Sequence, residues 1–89
     1  MHQHRNLLLA FLLGRIEDCR RSRHVTQETM AEWLRISPRS YGYIKAGTYG
    51  CSATTLMFFL LVLTEEEVVQ LRLDFLALVE GETEYVFAR

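Results

Sequence analysis

Apolar residues recur along this chain at helical rather than strand spacing. Leu9, Leu12, Leu13, Ile16 and Cys19 fall three and four apart on one stripe, which predicts a long first helix from about Asn6 to Arg23. Thr26 then precedes the helix formers Gln27 to Leu34, with Glu28 in the first turn. Its hydroxyl can accept from a backbone N–H that would otherwise lack a partner, so a second helix starts there. Ser37 offers a further cap, and Pro38 sits at the first helical position, where its missing N–H costs nothing and its φ is already helical. The third helix runs through Arg39, Ser40, Tyr41, Gly42, Tyr43, Ile44, Lys45 and Ala46 to Gly47, which most easily takes the left-handed closing conformation. A fourth helix spans Ser52 to Leu63. A fifth opens at Thr64, where Glu67 completes a capping box, and continues to about Glu80, with Gly81 as its stop. The tail from Thr83 to Arg89 alternates weakly through Tyr85 and Phe87, as an added strand would, but is expected to fray. The pattern is an all-α, five-helix single domain over residues 1–89, without linkers or repeats.

Helices 4 and 5 are apolar on two faces. Leu56, Phe59, Leu60 and Leu63 form one stripe of helix 4, while Val68, Leu71, Phe75 and Leu78 form one of helix 5. These can close the core. The second stripes, Met57, Phe58, Leu61 and Val62 with Val69, Leu73 and Leu76, then predict a homodimer interface within residues 52–80, adjoined by the Leu7 to Phe11 end of helix 1. The competing arrangement is a five-helix monomer that wraps both faces internally.

Composition narrows the function. Eighty-nine residues make one small domain, too short for an enzyme cleft between subdomains. No glycine-rich phosphate loop, nucleophile elbow or inward carboxylate pair occurs, so neither an enzyme nor a cofactor is expected. Cys19 and Cys51 are too few for a metal cage and read as reduced core thiols of a cytoplasmic protein. His2 and His4 lack further ligands, so no metal site is expected. The longest apolar run, Leu56 to Leu63, has eight residues against the ~20 that span a bilayer, so no membrane association is expected. The apolar stretch from Asn6 to Leu13 follows Arg5 in the manner of a signal peptide, but runs straight into Arg15, Glu17 and Asp18.

The net charge of −1 conceals an asymmetry. Residues 1–49 hold eight basic side chains (Arg5, Arg15, Arg20, Arg21, Arg23, Arg35, Arg39, Lys45) against four acids, a balance of +4; residues 50–89 hold two against seven, a balance of −5. Such a distribution can aim one end at phosphate.

Residues 26–47 carry the most information. Two helices of about eight residues joined by a short turn match the helix-turn-helix, whose second helix enters the major groove. From about Leu13 to Leu63 the chain resembles the Cro/repressor-type (XRE) helix-turn-helix family. The carriers are Leu13, Ile16 and Cys19, then Thr26-Gln27-Glu28, Ala31 and Leu34, Ile36-Ser37, Ile44 and Gly47, and finally Leu56, Phe59, Leu60 and Leu63.

The resemblance implies a lambda-repressor-like fold and a dimeric, sequence-specific regulator of transcription that binds double-stranded DNA. It implies base contacts from Pro38, Arg39 and Tyr43, with Arg39 foremost because a guanidinium can bridge O6 and N7 of guanine. Backbone contacts are expected from Gln27, Ser40, Lys45, Thr48 and Tyr49. Tyr41 falls at the family's buried aliphatic position. Four residues depart from the pattern: Arg35 stands where the turn commonly has a left-handed glycine, Gly42 weakens the recognition helix, Lys45 would face Arg20 with like charge, and Pro38 replaces a hydrogen-bonding side chain. The alternative is a protein-interaction module on this scaffold, of anti-repressor, antitoxin-like or co-regulator kind, docking a protein partner.

Overall fold

The computed structural model describes residues 2–47 and 51–87, with side chains over 7–47 and 51–81. Among them lie five helices and no strand: α1 (His2–Ser22), α2 (Gln27–Leu34), α3 (Pro38–Ala46), α4 (Ala53–Val62) and α5 (Glu65–Phe87). No described helix is long and apolar enough to cross a membrane.

Each of the later four helices begins where a side-chain oxygen meets an otherwise unpaired amide. Thr26 Oγ1 accepts from the Thr29 amide, Ser37 Oγ from that of Ser40 and Ser52 Oγ from that of Thr55, each at 3.1 Å. Thr64 and Glu67 form a reciprocal capping box, Glu67 N–H to Thr64 Oγ1 at 3.2 Å and Thr64 N–H to Glu67 Oε1 at 2.8 Å. Each cap contributes about 1 kcal/mol.

α2 packs on α3 and α4, and α1 lies against α3 and α5. The core between them consists of Leu13, Ile16 and Cys19 from α1, Met30, Ala31 and Leu34 from α2, Tyr41 and Ile44 from α3, and Phe59 from α4. α5 adds only partial cover through Leu71, and is otherwise tied to α1 at its edges. Arg15 pairs with Asp74, Phe11 stacks on Phe75 at 5.7 Å between centroids, and Arg23 reaches Glu67 at 2.5 Å and the Val62 carbonyl at 3.2 Å.

One carboxylate sits inside this apolar packing. Glu17 is 8% exposed and receives Arg20 Nη2 at 2.7 Å, Arg20 Nε at 2.9 Å, Arg21 Nε at 3.2 Å and the Tyr41 hydroxyl at 2.7 Å. Arg20 also donates to the Val25 carbonyl at 3.0 Å, which joins the same cluster to the turn before α2. The Arg20 guanidinium, aided by Tyr41, holds Glu17 at about 2 against an ordinary 4.5 despite burial, while burial and the anion beside it push the Tyr41 phenol up.

The structure corrects several expectations. α1 begins at His2 rather than Asn6. α5 runs through Gly81 to Phe87, so residues 81–87 are helical and neither a tail nor a strand; residues 88–89 lie outside the described set. Gly81 takes no positive φ, and with no proline after it the helix formers Glu82 and Glu84 carry the helix onward. Lys45 does not confront Arg20, whose guanidinium is engaged by Glu17; it lines a shallow cleft with Glu17 and Asp18 instead. Cys51 is half-buried, unlike the core residue Cys19, and both are free thiols. Phe75 is 40% exposed and Leu60 only partly covered, so the intended core stripes of α4 and α5 are not wholly inside.

Replacing Glu17 by Gln should destabilise the fold by about 3 kcal/mol at pH 7, because a pKa held at about 2 rather than 4.5 corresponds to that difference. The depressed value means that the stabilisation is complete above the unfolded-state pKa of 4.5 and vanishes as pH falls toward 2. Urea denaturation from pH 7 to pH 2 should therefore show the native and Glu17→Gln chains converging on the acid side. Tyr41→Phe, which removes one donor to a charged acceptor, should cost about 1.5–3 kcal/mol.

Candidate functional site

α3 is divided sharply between an inner and an outer face. Tyr41 and Ile44, three apart, are buried at 0% and 5% exposure. Pro38, Arg39 and Ser40 are exposed at the opposite side, with Tyr43 half-buried beside them. The N-cap makes this end rigid: Ser37 Oγ accepts from the Ser40 amide and lies 3.0 Å from the Ser40 hydroxyl. The α3 C-terminus closes on Gly47 at φ 74°, whose amide donates to the Ile44 carbonyl at 3.0 Å.

The expected base-reading residues are thus together on one surface. Arg39 Nε donates to Tyr43 Oη at 3.2 Å, a bond one helical turn long that holds the guanidinium over the outer face of α3. Gln27 is half-buried at the first position of α2, and Glu28 in the same turn puts a negative charge beside it. Lys45 is exposed near the far end of α3. Thr48 and Tyr49 lie outside the described residues.

The basic asymmetry seen in the sequence does not translate into a broad cationic face. Arg15, Arg20, Arg21 and Arg23 all pair with acids, two of those acids on α5 and one on α1 itself. Arg35 lies over the Phe58 ring at 5.4 Å. The cations turned outward near α3 are Arg39 and Lys45.

The turn between α2 and α3 takes the glycine-like route with an arginine. Arg35 has φ 62° and ψ 39°, its amide donates to the Glu32 carbonyl at 3.1 Å, and the Ile36 amide reaches back to Ala31 at 3.0 Å. A left-handed arginine costs about 1–2 kcal/mol, and its cation–π contact returns about 0.5–1 kcal/mol. His24 closes α1 the same way at φ 56°, a conformation that nothing in the sequence announced. Beside Arg35 an open cleft of about 470 Å³ is lined by Trp33, Phe58, Leu61, Arg23 and Glu32 among others; Trp33 is 38% exposed there and was legible only as a helix former.

The residues expected at a dimer interface fall into two groups. Met57, Leu61, Val69, Leu73 and Leu76 are exposed, Leu61 at 79%. Phe58 and Val62 are not available in the same way: Phe58 sits under Arg35, and Val62 packs against the core. Among the described residues no group of three or more His, Cys, Asp or Glu side chains could hold a metal ion. No family model, curated protein or solved structure matches the chain.

Two substitutions test this local accounting. A Cβ at Gly42 meets nothing within 4 Å, so Gly42→Ala should stabilise the chain by about 0.5–1 kcal/mol in chemical denaturation. Arg35→Gly, which relieves the left-handed strain but loses the ring contact and adds unfolded-chain freedom, should stay within about 1 kcal/mol of the native chain, whereas Arg35→Ala should be the less stable of the two.

Proposed function

We propose that this chain is a sequence-specific DNA-binding transcriptional regulator that works as a homodimer, with α2 and α3 as a helix-turn-helix of Cro/repressor type. The observation that carries the reading is the outer face of α3, where a capped N-terminus presents Arg39 and Tyr43 side by side while Tyr41 and Ile44 anchor the helix from behind. In this reading Arg39 takes guanine through a bidentate contact, and Tyr43 both orients it and touches a neighbouring base or phosphate. Pro38 lends its ring to apolar contact with a thymine methyl. Gln27, Ser40 and Lys45 bind phosphate and fix the register. The exposed Met57, Leu61, Val69, Leu73 and Leu76 supply the dimer contact, and two α3 helices then reach half-sites about 34 Å apart.

A second reading has its own observation. With Arg15, Arg20 and Arg23 engaged by acids and the exposed Arg21 sharing Glu17, few unpaired cations remain for phosphate, while Leu61 and Met57 stand well out of the surface. That combination favours a protein-interaction module on the same scaffold, gripping a partner through α4 and α5.

Selection of DNA by the purified chain, followed by affinity measurement at 50 and 200 mM salt, separates the two. The DNA reading expects selected duplexes to bind at least ~10³-fold more tightly than random ones, with a shallow salt slope because few phosphates are neutralised. Arg39→Ala should relax preference at one position by about 1–3 kcal/mol, and Gln27→Ala should weaken all sequences evenly. Absence of any enrichment, together with one stoichiometric protein partner, would favour the second reading.

A further inference from the structure

Between the first half of α1, α4 and the first half of α5 runs an open groove of about 630 Å³. Its walls include Leu8, Phe11, Leu56, Leu60, Val68 and Phe75, with the half-buried Cys51 thiol among them. Among the lining residues only Arg72 is charged. The exposed Met57, Leu61, Val69, Leu73 and Leu76 are not part of this lining.

Arg72 has no obvious counter-charge. Its neighbours three and four residues away, Val68, Val69, Phe75 and Leu76, are all apolar, so no acid of its own helix faces it. The stretches that supply the opposite walls, residues 6–13 and 53–63, contain no Asp or Glu. It takes part in none of the ion pairs among the described residues, and the nearby Asp74 is held by Arg15 and Gln70. A cation beside an apolar trough is complementary to an anionic head on an apolar body.

Size decides what kind of body. The volume lies inside the ~300–1,000 Å³ typical of small-molecule sites. A single hydrocarbon chain fits a trough of this size, and the one charge beside it selects an anionic head.

We propose that this groove binds a free, single-chain fatty carboxylate, its tail laid between Phe11, Leu60 and Phe75 and its carboxylate paired with Arg72. The proposal rests on the groove alone and stands or falls independently of DNA binding.

The test is an NMR titration of the full chain with decanoate, and with decan-1-ol as the uncharged counterpart, at concentrations below micelle formation. Saturable shifts should be confined to residues lining the groove, decanoate should bind about 10-fold or more tightly than the alcohol, and Arg72→Gln should abolish that difference while sparing alcohol binding. Decanoate should also slow alkylation of Cys51. Leu60→Trp, which fills the trough, should weaken both ligands; should that variant lose its helical circular dichroism, the exposed Arg72→Gln substitution carries the test by itself. The proposal is overturned if shifts do not saturate, if acid and alcohol bind alike, or if Arg72→Gln changes neither. It is equally overturned if the groove residues shift only on dilution of the protein, which makes a second copy the occupant, or if binding occurs only to phospholipid vesicles.

Discussion

A single buried carboxylate governs how the helices of this chain meet. Glu17 stands on α1 where its neighbours Leu13 and Ile16 are core residues, and an unpaired anion there would be expensive. Four donor atoms from Arg20, Arg21 and Tyr41 answer it, and no buried side-chain polar atom among the described residues is left without a partner. The Tyr41 hydroxyl makes the arrangement more than local, since it comes from the inner face of α3, 24 residues along the chain. The apolar body of Tyr41 would tolerate several orientations of α3; the 2.7 Å bond from its hydroxyl accepts one. Because Arg39 and Tyr43 project from the other side of the same short helix, the aim of the outer face is fixed from within. Such a cluster is weak evidence for stability against an apolar substitute, but breaking it at one partner is costly, so it holds the fold as well as its geometry.

The same electrostatic economy limits the surface. Four arginines that counted toward a cationic half of the chain are turned to Glu17, Glu67 and Asp74. Two of those acids belong to the acidic half, so the charge asymmetry of the sequence is partly cancelled by folding rather than displayed. Association with a polyanion would then depend on a few well-placed groups on α3 more than on a general field.

What the sequence disclosed follows from range. The caps at Thr26, Ser37 and Thr64 were legible because donor and acceptor lie three residues apart, whereas at Arg35 the resemblance marked the turn position without deciding whether an arginine would take the left-handed conformation there. The burial of Tyr41 and the outward placing of Arg39 were legible only through the resemblance, which puts Tyr41 at a buried position and Arg39 on the outer face of α3. Glu17 was not legible as a hub, because its role depends on Tyr41 arriving from another helix, and as a sequence position it is one more polar residue on a helix. Arg23 likewise gave no sign that it would reach across to Glu67 and Val62. Gly81 misled because a glycine ends a helix only when the following chain leaves the helical path, and here it does not. Phe58 and Val62 are half-buried where Met57 and Leu61 are open, a difference the sequence did not show because the angular position of an apolar residue on α4 does not reveal what lies opposite.

The attachment of α5 has a dynamic consequence. α2, α3 and α4 are bound to α1 through a shared set of fully buried side chains, whereas α5 is held by Arg15–Asp74, Arg23–Glu67, one aromatic pair and the partial cover of Leu71. Those ion pairs are partly open to solvent and are screened by salt, and the aromatic contact is half exposed. An element with few buried apolar contacts opens at lower free energy than the core it rests on, so α5 is the helix expected to open first. Ionic strength, which screens the two ion pairs that tie α5 to the chain around α1, then bears on how often that helix opens.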